Sequence, residues 1–249
     1  MRIEMFLEKY DGTCSINNLK PNHVTFIRYY EYTTKLKNVI FPLAVLTPNT
    51  YSCASYDHVP DNVRFYFCDD VDYEFTLLHN AFLNQYDGFS TINKISDYSD
   101  VHSTLQICDG IKVAVGPNKE KIQFIHTGNV VIEDDVEIGP YCVIHRGTMD
   151  STYIRKGVKI GAHCNIGHNN DIGENTVIAA GVMLSGSIKV GKNCWLGTGS
   201  SYRQGISICD DVLIGVGSVV TKDITKPGVY VGNPAKFLRK LSGPKGWDS

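Results

Sequence analysis

A single histidine, His168, lies in the stretch NIGHNNDIG between two isoleucine–glycine pairs that are six residues apart. Imidazole is the side chain most often used as a general acid or base near neutral pH. The isoleucines and glycines recur along the chain, so the repeat alone accounts for them. His168 is therefore either a base for proton transfer or an exposed histidine without a function, as we expect for His163.

The repeat around His168 has a period of six residues. Twelve consecutive positions in this period are aliphatic or aromatic, and the positions four residues after each of them are mostly small or β-branched. A helix repeats every 3.6 residues and a lone strand every 2, so this period indicates a coil of short strands. We expect the glycines that follow the aliphatic residues to allow tight corners. The aliphatic series is Ile154, Ile160, Ile166, Ile172, Ile178, Leu184, Val190, Leu196, Tyr202, Ile208, Ile214 and Val220, and the glycines are Gly161, Gly167, Gly173, Gly191, Gly197 and Gly215.

This pattern resembles the hexapeptide-repeat acyltransferases. The resemblance implies a left-handed parallel β-helix with eighteen residues in each coil, assembled as a homotrimer with active sites between subunits. The phase continues back through Ile132, Ile138 and Ile144 and then breaks at HRGTMDST, where four extra residues form an excursion. Insertions of this kind are often on the binding face, so His145 and Arg146 are candidate substrate-binding residues.

Counting one such coil forward from His168 reaches Gly186. Acyl transfer to an amine needs a base for the proton and a donor for the developing oxyanion. The resemblance assigns the first role to His168 and the second to the N–H of Gly186. Asn169 follows the histidine, as in the N-acyltransferases of lipid A synthesis, and is a further candidate for substrate binding.

Residues 1–125 lack the period of six and predict a small α/β domain. The order VTFIRYYEYTTKL, LAVLTP and RFYFCDDVDYEFTLLHNAF resembles the N-terminal uridine-binding domain of the UDP-3-O-acylglucosamine N-acyltransferases, which implies that this domain binds a nucleotide sugar. In that family a Phe and a Tyr six residues apart enclose the uracil ring, and Phe26 and Tyr32 match them. Tyr29 departs from the family, which commonly has Asn there.

The β-helix is expected over 126–227, followed by a tail, 228–249, with a short helix. The segment VLIGVGSVVTKDITKPGVYVGNPAKFLRK resembles the ending of acetyl-CoA-dependent hexapeptide acetyltransferases. Lipid A acyltransferases usually continue into a helical extension for acyl carrier protein, so acetyl-CoA is the expected co-substrate. Glycines one coil apart, Gly199 and Gly217 after Gly181, would leave a strip for the pantetheine arm. Candidate partners for its phosphates are Lys222, Lys236 and Arg239, which are otherwise solvated cations.

The composition excludes some classes of partner. A net charge of −2 gives no basic field for nucleic acid or an anionic membrane, and no apolar stretch reaches the length of a membrane span. The N-terminus lacks the features of a signal peptide, so we expect a cytoplasmic protein. The eight cysteines form no CxxC pair, which favours free thiols and no metal site.

Four hypotheses follow. The first is an N-acetyltransferase that acts on a UDP-linked amino sugar, such as a 4-amino-4,6-dideoxyhexose, by direct attack on the thioester. The second keeps the lipid A reaction, with the acyl chain on acyl carrier protein. A zinc carbonic anhydrase on the same repeat would need a histidine five residues after His168, where Gly173 stands. A scaffold or binding module is the fourth.

Overall fold

The computed structural model describes residues 3–85, 94–103, 105–109 and 113–241. The chain forms two compact units, and the first unites residues 1–90 with 111–125. The second contains residues 91–110 and 126–249. Among the described residues, no helix is both long enough and apolar enough to cross a bilayer.

The first unit is a parallel sheet with helices. The strands β1 (Gly12–Thr13), β2 (His23–Phe26), β3 (Leu43–Pro48) and β4 (Val63–Cys68) pair in this order, all parallel. The helices are α1 (Ile3–Lys9) and α2 (Val71–Leu83), with 3₁₀ turns at Tyr30–Leu36 and Asn49–Tyr51. The predicted α/β domain is thus present.

Helix α2 begins where the sequence supplies a cap. Asp70 accepts a hydrogen bond from the N–H of Tyr73 at 3.0 Å, which satisfies one of the free donors of the first turn. Phe75, Leu78 and Phe82 are buried on one side of this helix. A hairpin of Val113–Val115 and Lys121–Gln123 completes the unit.

The second unit is a parallel β-helix with three faces. From Thr152 onward, strands one coil apart pair in parallel, Ile160 with Ile178 and Leu196 with Ile214. These many short parallel strands are consistent with the predicted left-handed β-helix. The first face has Lys94–Ile95, Val130–Ile132, Thr152–Ile154, Asp171–Ile172, Lys189–Val190 and Ser207–Ile208. The second has Asp100–Val101, Glu137–Ile138, Lys159–Ile160, Val177–Ile178, Trp195–Leu196, Val212–Ile214, Gly228–Val231 and Lys236–Arg239, and the third has Gln106–Cys108, Val143–His145, Asn165–Ile166, Met183–Leu184, Ser201–Tyr202 and Val219–Val220.

The β-helix begins earlier than the predicted boundary at residue 126. Ile95 pairs with Ile132, Val101 with Ile138 and Ile107 with Ile144, so 94–108 already forms one strand of each face. The boundary was wrong because residues 111–125 of the first unit interrupt the repeat after its first coil. The period of six is present in Ile95, Val101 and Ile107.

The predicted short helix in the tail is also wrong within 228–241. Gly228–Val231 adds to the second face in parallel with Val212–Ile214, and Lys236–Arg239 pairs with it in the antiparallel direction. The edge strand of the last coil offers unpaired backbone groups, and the returning chain pairs with them. The rest of the predicted tail, 242–249, lies outside the described residues.

The interior of the β-helix follows the predicted slots. All twelve residues of the aliphatic series are buried. The residues four positions after each of them form a second series of twelve, and these are buried as well. Polar members of the second series bond to the backbone of an adjacent coil or strand. Thr176 Oγ1 accepts from the N–H of Cys194 at 3.1 Å, and Asn170 Oδ1 accepts from that of Ile188 at 2.7 Å.

The glycines after the aliphatic residues are required for a reason other than the predicted tight corners. A Cβ on Gly161 would lie 2.7 Å from the N of Ala180, and one on Gly197 would lie 2.4 Å from the O of Ile214. They are needed because the next coil passes too close for a side chain. The left-handed corner residues come two positions later, as at His163 and Gly199.

Candidate active site

Two corners of the β-helix carry the predicted catalytic residues and the predicted pantetheine strip. The histidine corner joins the third face to the first and has left-handed residues at Asn169, Ser187 and Gly205. The glycine corner joins the second face to the third and has them at His163, Gly181, Gly199 and Gly217. Asparagine tolerates this backbone better than most residues, and glycine adopts it without steric penalty.

His168 lies at the histidine corner with its ring against Gly186 of the next coil. A Cβ on Gly186 would lie 2.5 Å from Nε2 and 2.6 Å from Cε1 of the imidazole, so only glycine leaves room for this ring. Among the described residues, no backbone carbonyl accepts the N–H of Gly186. The imidazole ring therefore lies close to the Cα of Gly186, at the same corner one coil apart.

The other ring nitrogen of His168 is held by its neighbour. Nδ1 lies 3.0 Å from Oδ1 of Asn169. The same oxygen accepts from the N–H of Thr148 at 2.9 Å and from its hydroxyl at 3.0 Å. The carboxamide oxygen of Asn169 thus lies among three protein groups, and its predicted role in substrate binding stays a prediction.

The four-residue excursion surrounds Asn169. The hydroxyl of Thr152 accepts the N–H of Asn169 at 2.8 Å and donates to the carbonyl of His145 at 2.7 Å. The N–H of Thr127 donates to the carbonyl of Thr148 at 2.7 Å. A Cβ on Gly147 would lie 1.6 Å from the carbonyl oxygen of Asp150, so the excursion is closely packed.

A second histidine, His126, contacts the site and was missed by the sequence analysis. It is 3% exposed, and its ring lies edge-on to that of His168 with 5.7 Å between centroids. It precedes the first strand of its coil, Val130–Ile132. The available signal is its position six residues before Ile132, in the phase of the repeat.

The two other candidates of the excursion have partners in the coil before them. Nε of Arg146 lies 2.8 Å from a carboxylate oxygen of Asp109. Nδ1 of His145 lies 3.7 Å from the sulfur of Cys108. Burial and the nearby Asp109 carboxylate raise the pKa of the Cys108 thiol, which therefore stays protonated at neutral pH.

The glycine corner is bare but its amides are not free. Nothing within the described residues lies within 4 Å of a Cβ placed on Gly199 or Gly217. Their N–H groups donate to Ala180 and Thr198 at 3.0 and 2.9 Å. The predicted strip is therefore open to a ligand's surface, but the N–H groups of its glycines are already bonded.

The predicted phosphate partners lie near the end of the β-helix. Lys222 and Lys236 are exposed, and Arg239 is partly buried, with one guanidinium nitrogen 3.3 Å from the carbonyl of Lys240. The structure therefore leaves both lysines at the surface. Their predicted role stays a prediction.

The first unit places the predicted uracil pair in different surroundings. Phe26 packs on Phe75, with 4.5 Å between centroids, and lines a cavity of about 240 Å³ with Arg28 and Asp72. Tyr32 is 40% exposed and lies 6.1 Å from the ring of Tyr29. Among the described residues, no contact between the rings of Phe26 and Tyr32 is present.

None of the eight cysteines, all within the described residues, forms a disulfide. Burial raises the pKa of Cys68 to about 11 and that of Cys194 to about 12, so both are neutral thiols. Within the described residues, no group of three or more His, Cys, Asp or Glu side chains is arranged to hold a metal ion.

Comparison with known proteins connects the β-helix to one family. The model described as the hexapeptide repeat of succinyl-transferase matches residues 157–185 and 187–222. The UDP-3-O-acylglucosamine N-acyltransferase of Bordetella avium is 44% identical over 105 residues, which cover 42% of this chain and 29% of that protein. The enzyme of the same name from Hahella chejuensis is 42% identical over 137 residues, 54% of this chain and 39% of that protein. The chain thus matches well under half the length of these relatives.

Solved structures show weaker likeness. PerB of Caulobacter crescentus, crystallised with CoA and GDP-perosamine, is 19% identical over 79% of this chain and 85% of its own, with a TM-score of 0.31. A UDP-N-acetylglucosamine acyltransferase is 18% identical over 61% and 73%, with a TM-score of 0.45. Neither value supports an argument about activity. The sequence matches show that this chain is a hexapeptide-repeat protein related to the UDP-3-O-acylglucosamine N-acyltransferases.

Proposed function

We propose that this protein transfers an acyl group from a thioester to the amino group of a nucleotide-linked sugar. The observation that supports it best is the close approach of the His168 ring to Gly186 one coil later. In the proposed reaction, the sugar amine attacks the thioester carbonyl while His168 takes its proton. The N–H of Gly186 donates to the oxyanion, and the thiolate then leaves.

The relatives favour a UDP-3-O-acylglucosamine as the acceptor. This is the substrate that the names of the matched proteins print, and it agrees with the second hypothesis from the sequence. An amine acceptor also agrees with Asn169 beside the histidine. The uridine would bind to the first unit, where Phe26 presents a ring beside the cavity near Arg28.

Acetyl transfer from acetyl-CoA to a 4-amino sugar is the second candidate. The open glycine corner favours it, because Gly199 and Gly217 leave a surface without side chains for a pantetheine arm. The strip and His168 lie at opposite ends of the third face in one chain. Gly181 and Gly186 are separated by at most about 17 Å of extended backbone.

We propose a homotrimer as the assembly, as the family resemblance implies. A donor that uses both the strip and His168 must cross the third face or lie between neighbouring copies. The oligomeric state can be measured by light scattering.

The test is a panel of donors and acceptors in a thiol-release assay. UDP-3-O-acylglucosamine and UDP-linked 4-amino sugars would each be offered with acyl carrier protein thioester and with acetyl-CoA. Release that depends on UDP-3-O-acylglucosamine supports the first candidate, and release that depends on acetyl-CoA with a 4-amino sugar supports the second. A folded protein that cleaves neither thioester with any of these amines would contradict the proposal.

A further inference from the structure

Asn169 has an orientation that the hydrogen bonds themselves determine. The carboxamide oxygen and nitrogen of asparagine are similar in size, so the hydrogen bonds around them decide which atom faces which group. The N–H of Thr148 is a backbone donor and cannot accept, and it lies 2.9 Å from the terminal atom of Asn169 that faces it. That atom must therefore be the carboxamide oxygen.

This orientation determines the tautomer of His168. A carboxamide oxygen is only an acceptor, and Nδ1 lies 3.0 Å from it. Nδ1 must then carry the proton in the neutral ring. The lone pair is consequently on Nε2, the ring atom nearest to Gly186.

From this network we infer that Thr148 is a positioning residue that sets the tautomer of His168 through Asn169. Its amide and its hydroxyl both point at the oxygen that receives Nδ1–H, and the hydroxyl lies 3.0 Å away. The inference deepens the proposed function and rests on it for its kinetic consequence. It also assigns a purpose to the four extra residues of the excursion.

The packing around Thr148 makes the arrangement rigid. Its carbonyl accepts from the N–H of Thr127, and Thr152 holds the backbone of Asn169. Asn169 has a left-handed backbone with φ of 59°, which points its side chain back across the corner toward the excursion. A positioning network that is held at both ends in this way preserves catalytic geometry.

The experiment combines a spectroscopic readout with kinetics on the full-length protein. Two-bond ¹H–¹⁵N spectra of histidine-labelled protein distinguish the tautomers, and His168→Gln assigns the signals among the eight histidines. We expect Nδ1–H in the wild type. Thr148→Val keeps the backbone N–H that fixes the oxygen but loses the hydroxyl, so we expect the same tautomer with a shifted Nδ1 resonance. Loss of one neutral hydrogen bond should lower kcat about fivefold with KM unchanged. Thr148→Ser should restore both readouts, and Thr50→Val, at an exposed threonine of the first unit, should change neither.

The outcomes separate this inference from the proposed function. A wild-type spectrum with the proton on Nε2, or a Thr148→Val spectrum identical to the wild type, would overturn the inference. Failure of Thr148→Ser to restore kcat in a folded protein would also overturn it. If the spectra are as expected but His168→Ala is fully active, the tautomer assignment is supported and the proposed base is wrong.

Discussion

The histidine corner and the glycine corner share a left-handed backbone conformation but differ in the side chains that they carry. At the first, Asn169 is held by three hydrogen bonds to its oxygen, and His168 lies against the next coil. At the second, Gly199 and Gly217 carry no side chain and have open space above them. The repeat therefore determines where a corner lies, and the residues added to it determine whether that corner can do chemistry.

The largest expected effect is that of Gly186→Ala at the histidine corner. The added methyl would lie 2.5 Å from Nε2 of His168 and must displace the ring. A misplacement of about 1 Å in a catalytic group lowers rates by about 100-fold, so we expect a fall in kcat of about that size. Steady-state kinetics would measure it, with circular dichroism to confirm the fold.

Gly205→Ala is the matched control at the same corner. Its φ is 76° and nothing within the described residues would contact the new methyl, so only backbone strain is added. We expect a loss of about 1 kcal/mol in the free energy of unfolding and little change in kcat. Equal kcat values for the two variants would show that Gly186 does not set the position of the base.

A smaller effect is expected from Asn169→Asp, which keeps the shape and the left-handed backbone. A carboxylate beside Nδ1 would stabilise the protonated imidazole, so Nε2 would become a free base only at higher pH. The acid limb of the kcat/KM profile should move up by about one pH unit, which is about a tenfold loss on that limb. Asn175→Asp should leave the profile unchanged, because Asn175 lies at the corner that joins the first face to the second, with the same left-handed backbone (φ of 56°).

The smallest effect is expected from Gly199→Ala at the glycine corner. If the donor's pantetheine arm lies along this strip, a methyl there should raise KM for the thioester about fivefold without changing kcat. Gly205→Ala carries the same kind of backbone strain and serves again as the control. Identical donor KM values in the two variants would remove the strip from the binding site.

The sequence predicted the fold where the period was unbroken. The slots of Ile166 and Asn170 are buried as the spacing required, and the four extra residues occur where the phase breaks. The first coil was not predicted because residues 111–125 separate Ile107 from Ile144, with which it pairs. Pairing between segments that are distant in the sequence leaves little local signal. Within the site, the column of His168 and Gly186 followed from the resemblance. His126 and Thr148 did not, because Thr148 lies in the excursion and His126 precedes the first strand of its coil.

The central claim is that His168 is the base for acyl transfer, and its substitution tests that claim most directly. Thiol release by His168→Ala should be compared with that by His163→Asn, since His163 is an exposed histidine at the glycine corner, stacked on Tyr141 at 5.1 Å. We predict that His168→Ala lowers kcat by about 100- to 10,000-fold, whereas His163→Asn retains wild-type activity. Full activity in a folded His168→Ala protein would contradict the account.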